Sequence, residues 1–185
     1  QIGSRAERTI TILFSDIRGY TTISETSTPE EMFNLLNEYL PEMGEAIDSN
    51  GGFVDKYIGD AIMALFDDAH YDGALAAARE MRVRLASLNE RREAAGKQPF
   101  DIGIGLHRGT VIMGTVGFKS KIESTVIGDA VNAASRVEGL TKQYHVSVLV
   151  SGAVVDALEH PDRFTLRVVD AAAKIRGKDE PIKLY

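Results

Sequence analysis

Asp16 and Asp60 each stand where an apolar run breaks, and two carboxylates brought to one point would make a hard-oxygen metal site. Asp16 closes Thr9-Ile10-Thr11-Ile12-Leu13-Phe14, and Asp60 lies in Tyr57-Ile58-Gly59-Asp60-Ala61-Ile62-Met63-Ala64 between two short strand candidates. A pair with few other ligands suits Mg²⁺ or Mn²⁺, which keep coordination positions for water and phosphate. Without a cation, two adjacent carboxylates repel and raise each other's pKa. Either aspartate alone reads better as a turn residue. Directly after Asp16 comes Ile17-Arg18-Gly19-Tyr20-Thr21-Thr22. There a glycine permits close backbone approach, and a turn entering a helix aims amide hydrogens at an anion. Next to a metal, that segment reads as a triphosphate cradle.

The aspartates meet only if the elements carrying them are neighbours. Residues 8–15 alternate and are β-branched, which predicts a strand. Thr28-Pro29-Glu30-Glu31 combines a capping threonine, a first-turn proline and a glutamate three residues after the cap. Met32, Leu36, Tyr39, Met43 and Ile47 then give one apolar helix face to about residue 49, stopped by Asn50-Gly51-Gly52. Residues 53–58 and 61–66 are strand candidates joined by Gly59-Asp60, which suits a tight hairpin. Leu75, Ala78, Met81, Leu85 and Leu88 mark a helix over 72–95, and 100–107 is again strand-like. The order βαββαβ is the ferredoxin-like split unit of an α+β fold, in which the first strand lies beside the central hairpin. That adjacency brings Asp16 to Asp60. A C-terminal α/β extension follows: a hairpin from 110–116 and 122–127, a helix capped by Asp129 and running to about Leu140, a strand at 146–150, a short helix near 152–159, and strands at 164–168 and 182–185.

No linker interrupts the 185 residues, so 1–185 reads as a single domain long enough to bury a core. A net charge of −6 argues against a nucleic-acid groove, yet a bound metal would still let an acidic chain take a nucleotide. The absence of cysteine excludes disulfides, thiolate zinc sites and cysteine nucleophiles, and fits a cytoplasmic location. There is no apolar run of the ~20 residues a membrane helix needs, and no secretory signal. Gln1 in place of an initiator methionine predicts a catalytic piece of a longer regulated protein, which can be membrane-associated as a whole. His107 has no partner pattern and reads as structural; Met32, Met43, Met63 and Met81 read as core.

Three separated segments carry a family resemblance: Phe14-Ser15-Asp16-Ile17-Arg18-Gly19-Tyr20-Thr21, Asp55-Lys56-Tyr57-Ile58-Gly59-Asp60-Ala61, and Val126-Ile127-Gly128-Asp129-Ala130-Val131-Asn132-Ala133-Ala134-Ser135-Arg136. Together, in this order, they resemble the class III nucleotidyl cyclases over nearly the whole chain. The resemblance implies that Asp16 and Asp60 bind two Mg²⁺ (or Mn²⁺) ions with the carbonyl of Ile17 as a further ligand. It implies that the backbone at Gly19, Tyr20 and Thr21 lies against the phosphates. Lys56 matches the position that reads adenine N1, where a donor meets a lone pair; guanine N1 carries hydrogen and would leave two donors unpaired. Asn132 and Arg136, four residues apart on one helix face, match the pair that orients the ribose and stabilises the transition state. Lys178, in Arg176-Gly177-Lys178, matches a lysine that contacts the terminal phosphates. Lys119 and Lys121 are further cations that the resemblance does not assign.

Thr125 occupies the second base-selecting position, where adenylyl cyclases commonly have aspartate. Its hydroxyl can still accept from the adenine amino group. Threonine there resembles the soluble adenylyl cyclases of cyanobacterial and mammalian type, several of which respond to bicarbonate. The implied activity is conversion of ATP to 3′,5′-cyclic AMP and pyrophosphate by a homodimer with two shared interfacial sites. The other readings are a guanylate or dual-specificity cyclase and a catalytically silent nucleotide-sensing or dimerising module. A diguanylate cyclase is disfavoured, because Tyr57-Ile58-Gly59-Asp60-Ala61 stands where its signature hairpin would be.

Overall fold

A computed structural model describes residues 3–67, 71–118 and 120–185. The elements run β1 (Arg5–Ile17), α1 (Tyr20–Glu25), α2 (Pro29–Asp48), β2 (Phe53–Ile58), β3 (Ala61–Phe66), α3 (Gly73–Ala94), β4 (Ile102–Phe118), β5 (Lys121–Ile127), α4 (Asp129–Gln143), β6 (Val148–Val150), α5 (Gly152–Asp156), β7 (Asp170–Ala173) and β8 (Ile182–Leu184). The main sheet has the order β2-β3-β1-β4-β5, antiparallel throughout, with β6 added in parallel to β4. β7 and β8 form a separate two-stranded sheet. The first four strands keep the ferredoxin-like order, and β1 does lie beside the β2–β3 hairpin.

Strand alternation divides the sheet into two apolar faces. Leu13, Ile17, Ile62, Ala64, Ile102 and Ile104 face α2 and α3. Ile10, Ile12, Met63, Leu65 and Val111 face α4. The Thr28 hydroxyl accepts from the Glu31 amide at 3.1 Å, with Pro29 in the first turn of α2, as the capping cues predict. Gly59, at φ 62°, opens the two-residue turn between β2 and β3. Met32, Met43, Met63 and Met81 are all buried.

Backbone contact, not side-chain interdigitation, sets how closely α4 rides on the sheet. A methyl group at Gly105 would fall 2.3 Å from the Glu138 amide nitrogen. Ala130, Ala133 and Ala134 supply the small residues on the helix side.

Several expectations are corrected. The strands expected at 100–107 and 110–116 are one continuous strand, β4; its residues Thr110 to Ile112 pair with Thr9 to Glu7 without a break. Arg108-Gly109, left between the two expected strands, is part of that ladder. β1 runs from Arg5, longer than the expected 8–15. Residues 164–168 form no strand: Phe164 and Leu166 pack on the main core without ladder partners. The strand preceding β8 lies at Asp170–Ala173 instead. Asp129 is the first residue of α4 and makes no cap hydrogen bond; Gly128 holds the cap position.

Candidate active site

The two aspartates converge. Register puts Ser15 opposite Ile62 on antiparallel β1 and β3, so the end of β1 and the β2–β3 turn share one edge of the sheet. The Asp60 carboxylate accepts the Ile17 amide at 2.8 Å, one residue from Asp16. Asp16 is half-buried, and its Oδ1 is fully buried with no hydrogen-bond partner among the described residues. A buried carboxylate oxygen without a donor is costly. A hard cation is the natural partner for such an oxygen, so the donor set fits Mg²⁺ or Mn²⁺.

An unforeseen carboxyl lies behind Asp16. Glu138, on the face of α4 pressed against the sheet, is buried and close to Asp16. Burial first, then a side-chain hydrogen bond to Asp16 and the Asp16 charge, raise its pKa well above the carboxylate range, while Arg18 opposes the shift. Arg18 Nη1 approaches Glu138 Oε1 at 3.8 Å, and its Nη2 donates to Thr141 Oγ1 and to the Val146 carbonyl at 3.3 Å. The guanidinium lies flat on Gly103, where a methyl group would sit 2.7 Å from it. Arg18 thus ties the end of β1 to the end of α4. Its place two residues after Asp16 was visible in sequence, but its partners were not.

Gly19 adopts the left-handed conformation at φ 64° and starts α1, whose first residues are Tyr20 and Thr21. The glycine, Thr21 and Thr22 are exposed and Tyr20 is half-buried. The segment therefore leaves Asp16 with its backbone accessible.

Asn132 and Arg136 lie on the outer side of α4, Asn132 exposed and Arg136 half-buried. Arg136 Nη1 donates to the Arg176 carbonyl, so the loop carrying Lys178 folds against this helix. Lys178 Nζ pairs with Asp129 at 2.6 Å and depresses the Asp129 pKa. Arg136 pairs with neither Glu138 nor Glu90. Beneath, His107 is buried and its Nδ1 lies 2.8 Å from the Ser151 hydroxyl. Burial, with Lys178 nearby, lowers its pKa to about 4, so it is neutral at physiological pH.

The base-selecting candidates lie on the two edge strands. Lys56 is exposed on β2 and its ammonium approaches Asp55 at 3.5 Å, beside a bulge between Val54 and Lys56. Thr125, on β5, lines an open cleft of about 460 Å³ together with Asp55, Phe53 and Ser4. Neither Asp16 and Asp60 nor Asn132 and Arg136 line that cleft. Thr125 pairs with Gly114, and Gly114 with Arg5, eleven residues along β1 from Asp16. That interval is roughly 36 Å of strand contour at about 3.3 Å per residue. Lys121 is exposed and pairs with Glu123 at 3.6 Å, while Lys119 lies outside the described residues.

A family model described as the adenylate and guanylate cyclase catalytic domain matches residues 2–185. The chain is 55% identical over 189 residues to an adenylate cyclase of Anabaena cylindrica, covering 100% of this chain and 38% of that one. It is 35% identical to adenylate cyclase 1 of Rhizobium meliloti (strain 1021), covering 99% of this chain and 28% of the relative. It thus spans well under half the length of these curated relatives. Among solved structures, the adenylyl cyclase CyaB from P. aeruginosa superposes with a TM-score of 0.85 at 30% identity, over 98% of this chain and 94% of that one. The guanylyl cyclase Cya2 gives 0.84 at 29% identity, over 97% and 91%.

Proposed function

The chain belongs to the family of adenylate and guanylate cyclase catalytic domains, and we propose that it converts ATP to 3′,5′-cyclic AMP and pyrophosphate as one half of a homodimer. The observation that carries this reading is the Ile17–Asp60 hydrogen bond beside the partnerless, buried oxygen of Asp16. Asp16, Asp60 and the Ile17 carbonyl would hold two Mg²⁺ or Mn²⁺ ions. Bound there, the cations would lower the pKa of the ribose 3′-hydroxyl and offset the charge of the triphosphate.

The chain's own groups do the rest. Backbone at Gly19, Tyr20 and Thr21 seats the phosphates. Lys56 Nζ donates to adenine N1 and Thr125 Oγ1 accepts from the adenine amino group. Asn132 orients the ribose so that its 3′-oxygen lies in line with the α-phosphorus and the departing pyrophosphate. Arg136 meets the charge that grows on the phosphoryl oxygens, and Lys178 meets the leaving group. Both cations are engaged without substrate, Arg136 on the Arg176 carbonyl and Lys178 on Asp129. Nucleotide must replace those contacts.

Two sites shared across a twofold axis account for the separation between Thr125 and Asp16. Asp16 and Asp60 of one subunit would meet Lys56, Thr125, Asn132 and Arg136 of the other. The adenylate cyclase relatives at 55% and 35% identity favour ATP over GTP. Thr125 resembles the residue of the bicarbonate-responsive subgroup, so bicarbonate belongs in the assay as a candidate activator. Among the described residues no helix is long and apolar enough to cross a membrane, and we read the reaction as cytoplasmic.

The test is turnover of ATP and GTP in parallel by the purified chain with Mg²⁺ and with Mn²⁺, with and without bicarbonate. Cyclic AMP from ATP, in excess over cyclic GMP from GTP, is expected. Equal turnover of GTP would move the chain to the dual-specificity reading, and a folded dimer that forms neither product would be a silent module.

A further inference from the structure

One cavity gathers four arginines and no acidic side chain, although the chain as a whole carries a net charge of −6. It measures about 480 Å³ and lies between α3, β6 and the segment that follows α5. Arg79, Arg82, Arg163 and Arg167 surround it, and Val148, Val150 and Leu166 contribute to an apolar floor. Arg79 is already fixed: it donates to the Arg163 carbonyl at 3.2 Å and its guanidinium lies 5.1 Å over the Phe164 ring. Arg82 and Arg167 make no ion pair with the described residues and are exposed.

Four guanidinium groups around one hollow repel one another, and no acidic side chain in the lining offsets them. An anion does, through bidentate charge-assisted hydrogen bonds that arginine is shaped to give. The floor adds a second requirement. A bare inorganic anion would leave the apolar surface wet, and a neutral apolar compound would leave the arginines unpaired. The volume is that of an ordinary small-molecule site. We propose that this cavity binds a small organic anion with an apolar body and a carboxylate or phosphate head.

The cavity also touches the machinery described above. Val146 lines it, and the Val146 carbonyl accepts from Arg18, which pairs with Glu138 and lies two residues from Asp16. A ligand pressing on Val146 is therefore one hydrogen bond from the arm that carries the metal-binding candidate. The consequence for metal affinity rests on the cyclase reading; the binding itself does not.

The experiment is calorimetric titration of the whole chain with octanoate and with octyl phosphate, which separate the carboxylate from the phosphate source. n-Octanol and inorganic phosphate serve as probes of each half alone. One saturable site is expected, at least about tenfold tighter for an amphipathic anion than for either half. Arg82→Glu with Arg167→Glu should weaken it about tenfold or more while leaving ATP turnover and the unfolding midpoint unchanged. Leu166→Trp, which fills the floor, should abolish it. Equal binding by the charge-reversed chain, or by n-octanol, would overturn the site. Mn²⁺ affinity read by electron paramagnetic resonance should shift severalfold with octanoate bound; an unmoved affinity would sink the link through Arg18 whether or not the chain cyclises ATP.

Discussion

The end of β1 and the outer side of α4 differ in charge and in burial. At the first, the Asp60 carboxylate holds the amide next to Asp16, and one Asp16 oxygen is sealed from water with no hydrogen-bond partner among the described residues. At the second, Arg136 and Lys178 are already satisfied, by a carbonyl and by Asp129. A region that keeps an unmet electrostatic need and a region that can release two cations are complementary. Within one chain they are the inner and outer sides of α4, and Thr125 stands eleven residues of β1 away from Asp16. On the proposed reading each region is half a site, and the complement would come from a second copy.

The contrast breaks hardest at the acidic end. Asp16→Ala should lower cyclic AMP formation by about a thousandfold or more without loss of fold, because Asp16 would hold the cation that activates the reacting hydroxyl. An active Asp16→Ala chain would remove the metal assignment. Mixing Asp16→Ala with Arg136→Ala tests the division of labour. Equal mixing makes half the dimers mixed, each with one intact site, so about a quarter of wild-type activity should return. No recovery, with mixed dimers seen by native mass spectrometry, would place both residues in one subunit's site.

A third test concerns the neutral histidine under the basic region. His107 has a pKa of about 4 in the folded chain against an ordinary 6.5, so between those pH values the unfolded chain binds more protons. Stability must fall as pH drops through that window, by about 3 kcal/mol in full. Urea unfolding at pH 7 and pH 4.5 should show His107→Asn losing less over that interval than wild type; parallel losses would remove the assignment. Smaller again is the base switch. Lys56→Glu with Thr125→Cys should cut the ATP-to-GTP preference by one to two powers of ten, read as a ratio of kcat/KM. An unchanged ratio would take base recognition away from the edge strands.

What sequence reasoning could reach follows from what kind of signal each element carries. The βαββαβ order was legible because its strands alternate and its long helices carry apolar stripes with caps, and the convergence of Asp16 and Asp60 came with that topology. α1 was read only as a helix entry after Gly19, without bounds: its six residues bury no side chain, so no periodicity marks its length. The continuity of β4 was hidden because Arg108-Gly109 resembles a turn, whereas its neighbour β1 supplies a partner at each position. Residues 164–168 failed in the opposite sense, since alternation there serves packing without a ladder. Glu138 escaped because a glutamate late in a helix reads as solvated. Only the missing side chain at Gly105, on another element, lets the helix come near enough to bury it.

That bare stretch of β4 has a mechanical consequence. With the Glu138 amide so close to where a β-carbon would be, α4 has no side-chain cushion at Gly105 on which to slide or tilt, and its outward residues keep a fixed reach from the sheet. In the proposed dimer, control would therefore act by turning one rigid body against its twin, or by altering the electrostatics around Arg18, with the helix held in place.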